Sequence, residues 1–189
     1  EENKVKPIIA IPGQGTNVPS WLLGSSLYSA QLAAHMGLPF SFASHFAPEL
    51  LLEALNIYRA NFRPSEQLDK PYVSAGVMAS VAETDKEAKY HFTSAQIKFA
   101  HLRRNANRPF PEPVEDLQSA VLAAEMPMIN QTLRYAMVGA PDTVEQKLNQ
   151  FIELTGVDEM IFSFPLHDQT ARLKAVELTA WLPLMAKQA

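Results

Sequence analysis

The 189-residue chain reads as an α/β protein built on parallel strands. Short apolar or β-branched runs alternate along it with longer amphipathic stretches, the signature of right-handed βαβ units. The stretch Trp21 to Ala47 contains one such unit complete: a strand, a Gly-Ser turn, a slim helix and a second strand. Turn and cap residues also stand where strands should hand over to helices, at Gly24-Ser25-Ser26 and again at Gly139-Ala140-Pro141-Asp142-Thr143.

The elements follow in order. Residues 1 to 20 hold an apolar run, Pro7 to Ile11, and then PGQGTNVPS, whose two Gly and two Pro mark turns, so this part reads as an excursion or hairpin arm. Trp21 to Leu23 is the first strand. Ala30, Ala33 and Ala34 keep the following helix slim, and Gly37 and Pro39 end it. After the second strand, Pro48 suits a first helical position, and Leu51, Ala54, Leu55, Tyr58 and Phe62 recur at helical spacing up to Arg63-Pro64. Pro71 to Val81 is long enough for a buried third strand. A helix from Asp85 should then place Ala88, Phe92, Ala95, Phe99 and Leu102 on one face and Arg103-Arg104 in its last turn, where cations complement the dipole.

Residues 105–116, NANRPFPEPVED, carry three Pro and should form an irregular, mobile excursion. Leu117 to Arg134 is helical in pattern with a break at Pro127, and Tyr135 to Val138 leads into the second turn-and-cap signal. Val144, Leu148, Phe151 and Ile152 form the buried stripe of the next helix, Gly156 stops it, and Met160 to Phe164 makes a fourth strand. The last helix, about Asp168 to Leu182, is expected to turn Leu173, Val176 and Ala180 inward. Residues 1–189 thus read as one domain. Four βα units cannot close an eight-stranded barrel, so an open sheet and half of a (β/α)₈ barrel both remain open on periodicity alone.

Charge and composition narrow the function. Sixteen basic and 20 acidic residues give a net charge of −4 without basic runs, which argues against a nucleic-acid partner. No apolar run approaches the roughly 18 residues of a membrane span, and EENKVK has no signal-peptide character, so a cytoplasmic setting is the default. With no Cys there is no disulfide, thiolate metal site or Cys nucleophile. His35, His91 and His101 fall on helices without zinc-motif spacing, and no metal is expected. Gly13 and Gly15 lie in a stretch that lacks the rest of a nucleotide-loop fingerprint.

The turn at Gly24 to Ser29 is the main candidate site. It lies between the carboxyl end of a strand and the amino end of a helix, where free N–H groups and the helix dipole favour anions. Ser25, Ser26 and Ser29 read as a phosphate cradle, with plain helix capping as the structural alternative. His45 could donate a proton after the second strand or be a satisfied structural residue. His167 and Asp168 follow the last strand and read as rim residues.

The runs WLLGSSLYSAQLAAHMGLPFSFASHFAPELLLEAL, YRANFRPSEQLDKPYV and YAMVGAPDTVEQKLNQFIELTGVDEMIF together resemble the carboxyl-terminal half of the bacterial-luciferase-like flavin-dependent monooxygenases. The resemblance implies strands five to eight of a (β/α)₈ TIM barrel. It also implies a reduced flavin, usually FMN from a separate reductase, that reacts with O2 to oxidise a small organic substrate. Some relatives instead transfer hydride with the deazaflavin F420. The family's phosphate turn maps onto Gly24, Ser25, Ser26, Tyr28 and Ser29, and Ala43, Ser44 and His45 should lie near the flavin ring. An acidic residue stands in some members where this chain has Ser25. The family's phosphate-binding arginine, its strand-three backbone support and its usual catalytic histidine belong to the other half and are not carried over. A half barrel leaves strand edges unpaired, so association, as a homo-oligomer, is expected.

Overall fold

The computed structural model describes residues 11–183, so most of the apolar run Pro7 to Ile11 lies outside the described residues. Thr16 closes a turn on Gly13, its amide and hydroxyl both donating to the Gly13 carbonyl. Five strands follow: β1 (Leu22–Gly24), β2 (Phe40–Phe42), β3 (Val73–Val81), β4 (Met137–Gly139) and β5 (Glu159–Ser163). All pairings are parallel, β1 on β2, β2 on β3, and both β4 and β5 on β3. The parallel α/β expectation is met.

The helices are α1 (Leu27–Met36), α2 (Leu51–Asn61), α3 (Asp85–Arg103), α4 (Met126–Thr132), α5 (Pro141–Thr155) and α6 (Gln169–Ala180). Alternation along the strands sends Phe40, Phe42, Val73, Ala75 and Val77 into one core with Ala30, Ala33 and Ala34 of α1, Leu51, Leu55 and Tyr58 of α2, and Leu148 of α5. Small Ala side chains let α1 sit close to the strands. Gly37 ends α1 in the left-handed region at φ 64°, and a Cβ there would come within 2.5 Å of the Arg63 carbonyl oxygen. Tyr58 ties the layers together, its buried hydroxyl donating to Leu38 O at 2.8 Å and accepting from Tyr72 N at 3.2 Å.

On the other face of the sheet, the register sets Leu23, Ser41 and Ser74 in one row, and Ser74 donates to Ser41 across 2.7 Å. Leu23 on β1 is 69% exposed and Ile161 on β5 is 53% exposed. β1 and β5 each pair on one side only among the described residues, so both are edges.

Several expectations need correction. Met137–Gly139 is a strand and not merely a lead-in; it exists because it pairs with Ala79–Val81 at the end of β3. Leu117 to Arg134 is no broken long helix: two single 3-10 turns precede α4, and Pro127 stands in the first turn of α4, where its missing N–H costs nothing. Leu102 is exposed, while Ile97 and Ala100 take the buried positions on α3. In α6, Ala175 and Thr179 face the core, and Leu173, Val176 and Ala180 face outward. Arg104 does more than complement a dipole, since its guanidinium grips Glu125 through two hydrogen bonds of 2.8 and 2.5 Å. Residues 106–114 adopt neither helix nor strand, and they are held by Lys98 Nζ donating to Arg108 O and Val114 N donating to Thr93 Oγ1.

Candidate functional site

β1 and β2 end side by side, joined by Ala43 N donating to Gly24 O at 2.9 Å. This contact brings the two groups of predicted site residues together at the carboxyl end of the sheet. Gly24, Ser25, Ser26, Tyr28 and Ser29 form the turn into α1, with Ala43, Ser44 and His45 beside it.

Ser26 is the N-cap of α1, its side chain accepting from Ser29 N at 3.2 Å. Ser29 returns the contact: its hydroxyl donates to Ser26 O at 2.6 Å and accepts from Ser26 N at 3.3 Å. The capping reading therefore holds for both hydroxyls. Gly24 is the residue that lets the turn close, because a Cβ on it would lie 2.2 Å from Ser29 Oγ and 2.3 Å from Ser29 Cβ. Only a hydrogen fits. The amides of Leu27 and Tyr28 have no acceptor within the helix, the first turn carries no acidic side chain, and the Ser25 hydroxyl has no protein partner among the described residues. Tyr28 is 71% exposed beside them. The turn thus offers free donors and positive helix-end potential without a competing carboxylate, which fits a phosphate dianion.

The second turn-and-cap signal is different. Asp85 Oδ1 accepts from Ala140 N at 2.7 Å, so a carboxylate from α3 already occupies the amino end of α5. That hydrogen bond, with help from Thr143, holds the Asp85 carboxyl below the usual carboxylate range.

Ser44 is fully buried and donates to Gly76 O at 2.6 Å. His45 Nδ1 lies 3.1 Å from the same carbonyl, which can only accept, so the contact assigns a proton to Nδ1. Its ring packs on exposed Phe46 at a centroid distance of 4.3 Å. Gly76 makes room, since a Cβ there would meet the imidazole at 3.1 Å. A cavity of about 10 Å³, the size of one water, adjoins Ser44 and His45 against Met78, Leu133 and Tyr135.

The other predicted residues separate from this end. His167 is exposed, and Asp168 is the N-cap of α6, accepting from Ala171 N at 2.7 Å. His35 is exposed, His91 stands 3.9 Å from Glu87, and His101 is buried. Burial, then the nearby Arg108, Arg104 and Lys98, pushes the pKa of His101 down, and Glu125 opposes them. Among the described residues no cluster of His, Asp or Glu could hold a metal ion, and no helix is long and apolar enough to cross a membrane. Residue patterns missed the Asp85 cap, which depends on a contact between segments far apart in the chain.

Comparison with known proteins gives a consistent picture. The model of a family described as luciferase-like monooxygenase matches residues 3–159. A protein of Escherichia coli (strain K12) named luciferase-like monooxygenase is 42% identical over 168 residues, which are 89% of this chain and 50% of that protein. The uncharacterized protein YvbT of Bacillus subtilis (strain 168) is 40% identical over 90% of this chain and 51% of its own length. The chain therefore spans about half the length of the curated relatives it matches. Among solved structures, apo-MsnO8 superposes with a TM-score of 0.77 at 29% identity, covering 94% of this chain and 54% of that one. The parallel order β1-β2-β3-β5 with its intervening helices is that of about half of the luciferase-like (β/α)₈ TIM-barrel fold.

Proposed function

The chain belongs to the luciferase-like monooxygenase family, and from that premise we propose that it supplies the phosphate site and one wall of the flavin pocket in a flavin-dependent monooxygenase. The observation that carries this reading is the close approach of Gly24 to Ser29, which shapes a turn with unused amide donors at the carboxyl end of a strand. FMN is the cofactor this reading favours, and a deazaflavin such as F420, which also carries a phosphate, is the alternative.

In this reading the Leu27 and Tyr28 amides and the Ser25 hydroxyl bind the phosphate. Ser26 and Ser29 keep those donors in place by capping one another. Reduced flavin, when bound, supplies electrons to O2, with one oxygen atom going to the substrate and the other to water. His45, held through Nδ1 by Gly76 O, is the candidate proton donor at the same end of the sheet, with Phe46 packed against its ring. The substrate is a small organic molecule, a separate flavin reductase is the reductant source, and the setting is cytoplasmic.

Titration of the chain with FMN and with riboflavin tests this directly. FMN should quench and should raise the melting temperature at lower concentration than riboflavin, because only FMN carries the phosphate. Equal responses, or none from either, would reject the phosphate site.

A second reading is supported by the exposed apolar residues Leu23 and Ile161 on the two edge strands: the chain pairs with another copy through these edges. Light scattering should then show a homo-oligomer that Ile161→Lys disperses. A monodisperse wild-type monomer would reject it.

A further inference from the structure

A second concave site lies beside β4, and it includes no residue of the β1–α1 turn. It is a cleft of about 340 Å³, within the range of small-molecule pockets, with Arg134, Tyr135, Lys147, Gln150, Phe151 and Leu154 among its walls. Two cations reach it. The Arg134 guanidinium lies 4.7 Å from the Tyr135 ring centroid and donates to Pro48 O, so its position is fixed from both sides. Lys147 Nζ donates to Val138 O at 2.7 Å and is half-buried; burial pushes its pKa down, opposed by the charge of Asp85. Among the described residues neither cation has a carboxylate within ion-pair distance, and no acidic side chain lines the cleft.

Apart from Gln150, the remaining walls are aromatic or aliphatic. Tyr135 and Phe151 meet edge to face, 5.3 Å between centroids at 73°, and Leu154 is exposed at the opening. Two cations without an ion-pair partner among the described residues, beside an aromatic corner, match a negative charge attached to a flat apolar body. Tyr135 and Ala136 also form the wall shared with the water-sized cavity at Ser44 and His45, so an occupant of the cleft would press on the residues that back His45.

We propose that this cleft binds a small organic anion, a carboxylate carried on a planar apolar group, with Lys147 and Arg134 holding the carboxylate and Tyr135, Phe151 and Leu154 covering the body.

The test uses 2-naphthoate and its neutral analogue 2-naphthamide as probes, titrated calorimetrically into the full chain at low salt. Naphthoate should bind saturably and at least roughly tenfold more tightly than the amide, since a charge-assisted hydrogen bond is lost with the charge. Lys147→Met should weaken naphthoate roughly tenfold. Lys147 also satisfies Val138 O, so Gln150→Glu provides the variant that leaves the fold alone: it sets a carboxylate on the exposed side of α5, should keep the melting temperature, and should weaken naphthoate by a similar factor. Inorganic phosphate should compete only weakly, because it lacks the apolar body. Absence of naphthoate binding, equal affinity for acid and amide, affinity unchanged in both variants, or full competition by phosphate at equal concentration would each overturn the proposal.

Discussion

Replacing Gly24 by Ala puts one methyl group where the structure has no room for it. The new Cβ would stand 2.2 Å from Ser29 Oγ and 2.3 Å from Ser29 Cβ, and Ser29 is itself packed, with 8% of its surface exposed. Ser29 cannot simply swing away, because its hydroxyl donates to Ser26 O and its amide donates to Ser26 Oγ. Losing the cap costs about 0.5 to 2 kcal/mol and accommodating a misfit methyl about 1 to 3 kcal/mol, so a combined loss of about 1.5 to 5 kcal/mol is expected. At about 2 to 4 °C per kcal/mol for a chain of this size, the melting temperature should fall on the order of 3 to 20 °C. Urea unfolding gives the free energy, and Gly24→Ala combined with Ser29→Gly gives the cause. Ser29→Gly alone should cost about 1 kcal/mol as a helix glycine, but the pair should be less destabilised than the sum by more than about 1 kcal/mol, because the second change removes the clash. A Gly24→Ala loss within about 0.5 kcal/mol, or strict additivity in the pair, would refute the close-packed turn.

Two further outcomes follow from the same geometry. Asp85→Asn should lower the melting temperature at neutral pH, since the Ala140 hydrogen bond holds the folded carboxyl below its unfolded pKa. That contribution is fully present above the ordinary carboxylate range and is lost as pH falls through the folded pKa, so wild type and variant should converge below about pH 4 in melts across a pH series. Tyr58→Phe should cost about 1 to 3 kcal/mol in urea unfolding, because it strips partners from the Leu38 carbonyl and the Tyr72 amide inside the core.

Where order came from local chemistry, residue patterns were enough. The α1 unit was legible because its three Ala, its Ser cap and its Gly stop all act within one turn of their own positions. Val144, Leu148 and Phe151 on α5 were legible for a related reason, as a strong stripe closed by Gly156 at φ 57°. β4 was not, since three residues make a strand only by pairing with the end of β3. α6 shows a different limit. Leu173, Val176 and Ala180 do form a helical stripe, but periodicity states that a stripe exists and not which way it faces; Asp168 capping and the Arg172 bond to Leu166 O orient the helix with Ala175 and Thr179 inward. Pro127 was ambiguous because proline both ends and begins helices.

The candidate site divides along the same line. Gly24, Ser26 and Ser29 stood out as a strand-to-helix turn, and the resemblance to a flavin family fell on the same residues. The commitment of Ser44 and His45 to Gly76 O depends on pairing between β2 and β3, and the tight Gly24–Ser29 approach on the exact path of the turn; both needed coordinates.

The most direct test of the flavin-phosphate assignment compares Ser26→Asp with Ser26→Ala in FMN titrations alongside thermal melts. Asp is a good N-cap, so Ser26→Asp should melt near the wild-type temperature while Ser26→Ala melts lower. FMN affinity should run the other way, falling far more for Ser26→Asp, which sets a carboxylate against the phosphate, than for Ser26→Ala. Equal FMN affinity for the two variants would contradict the assignment and leave the turn as a helix cap.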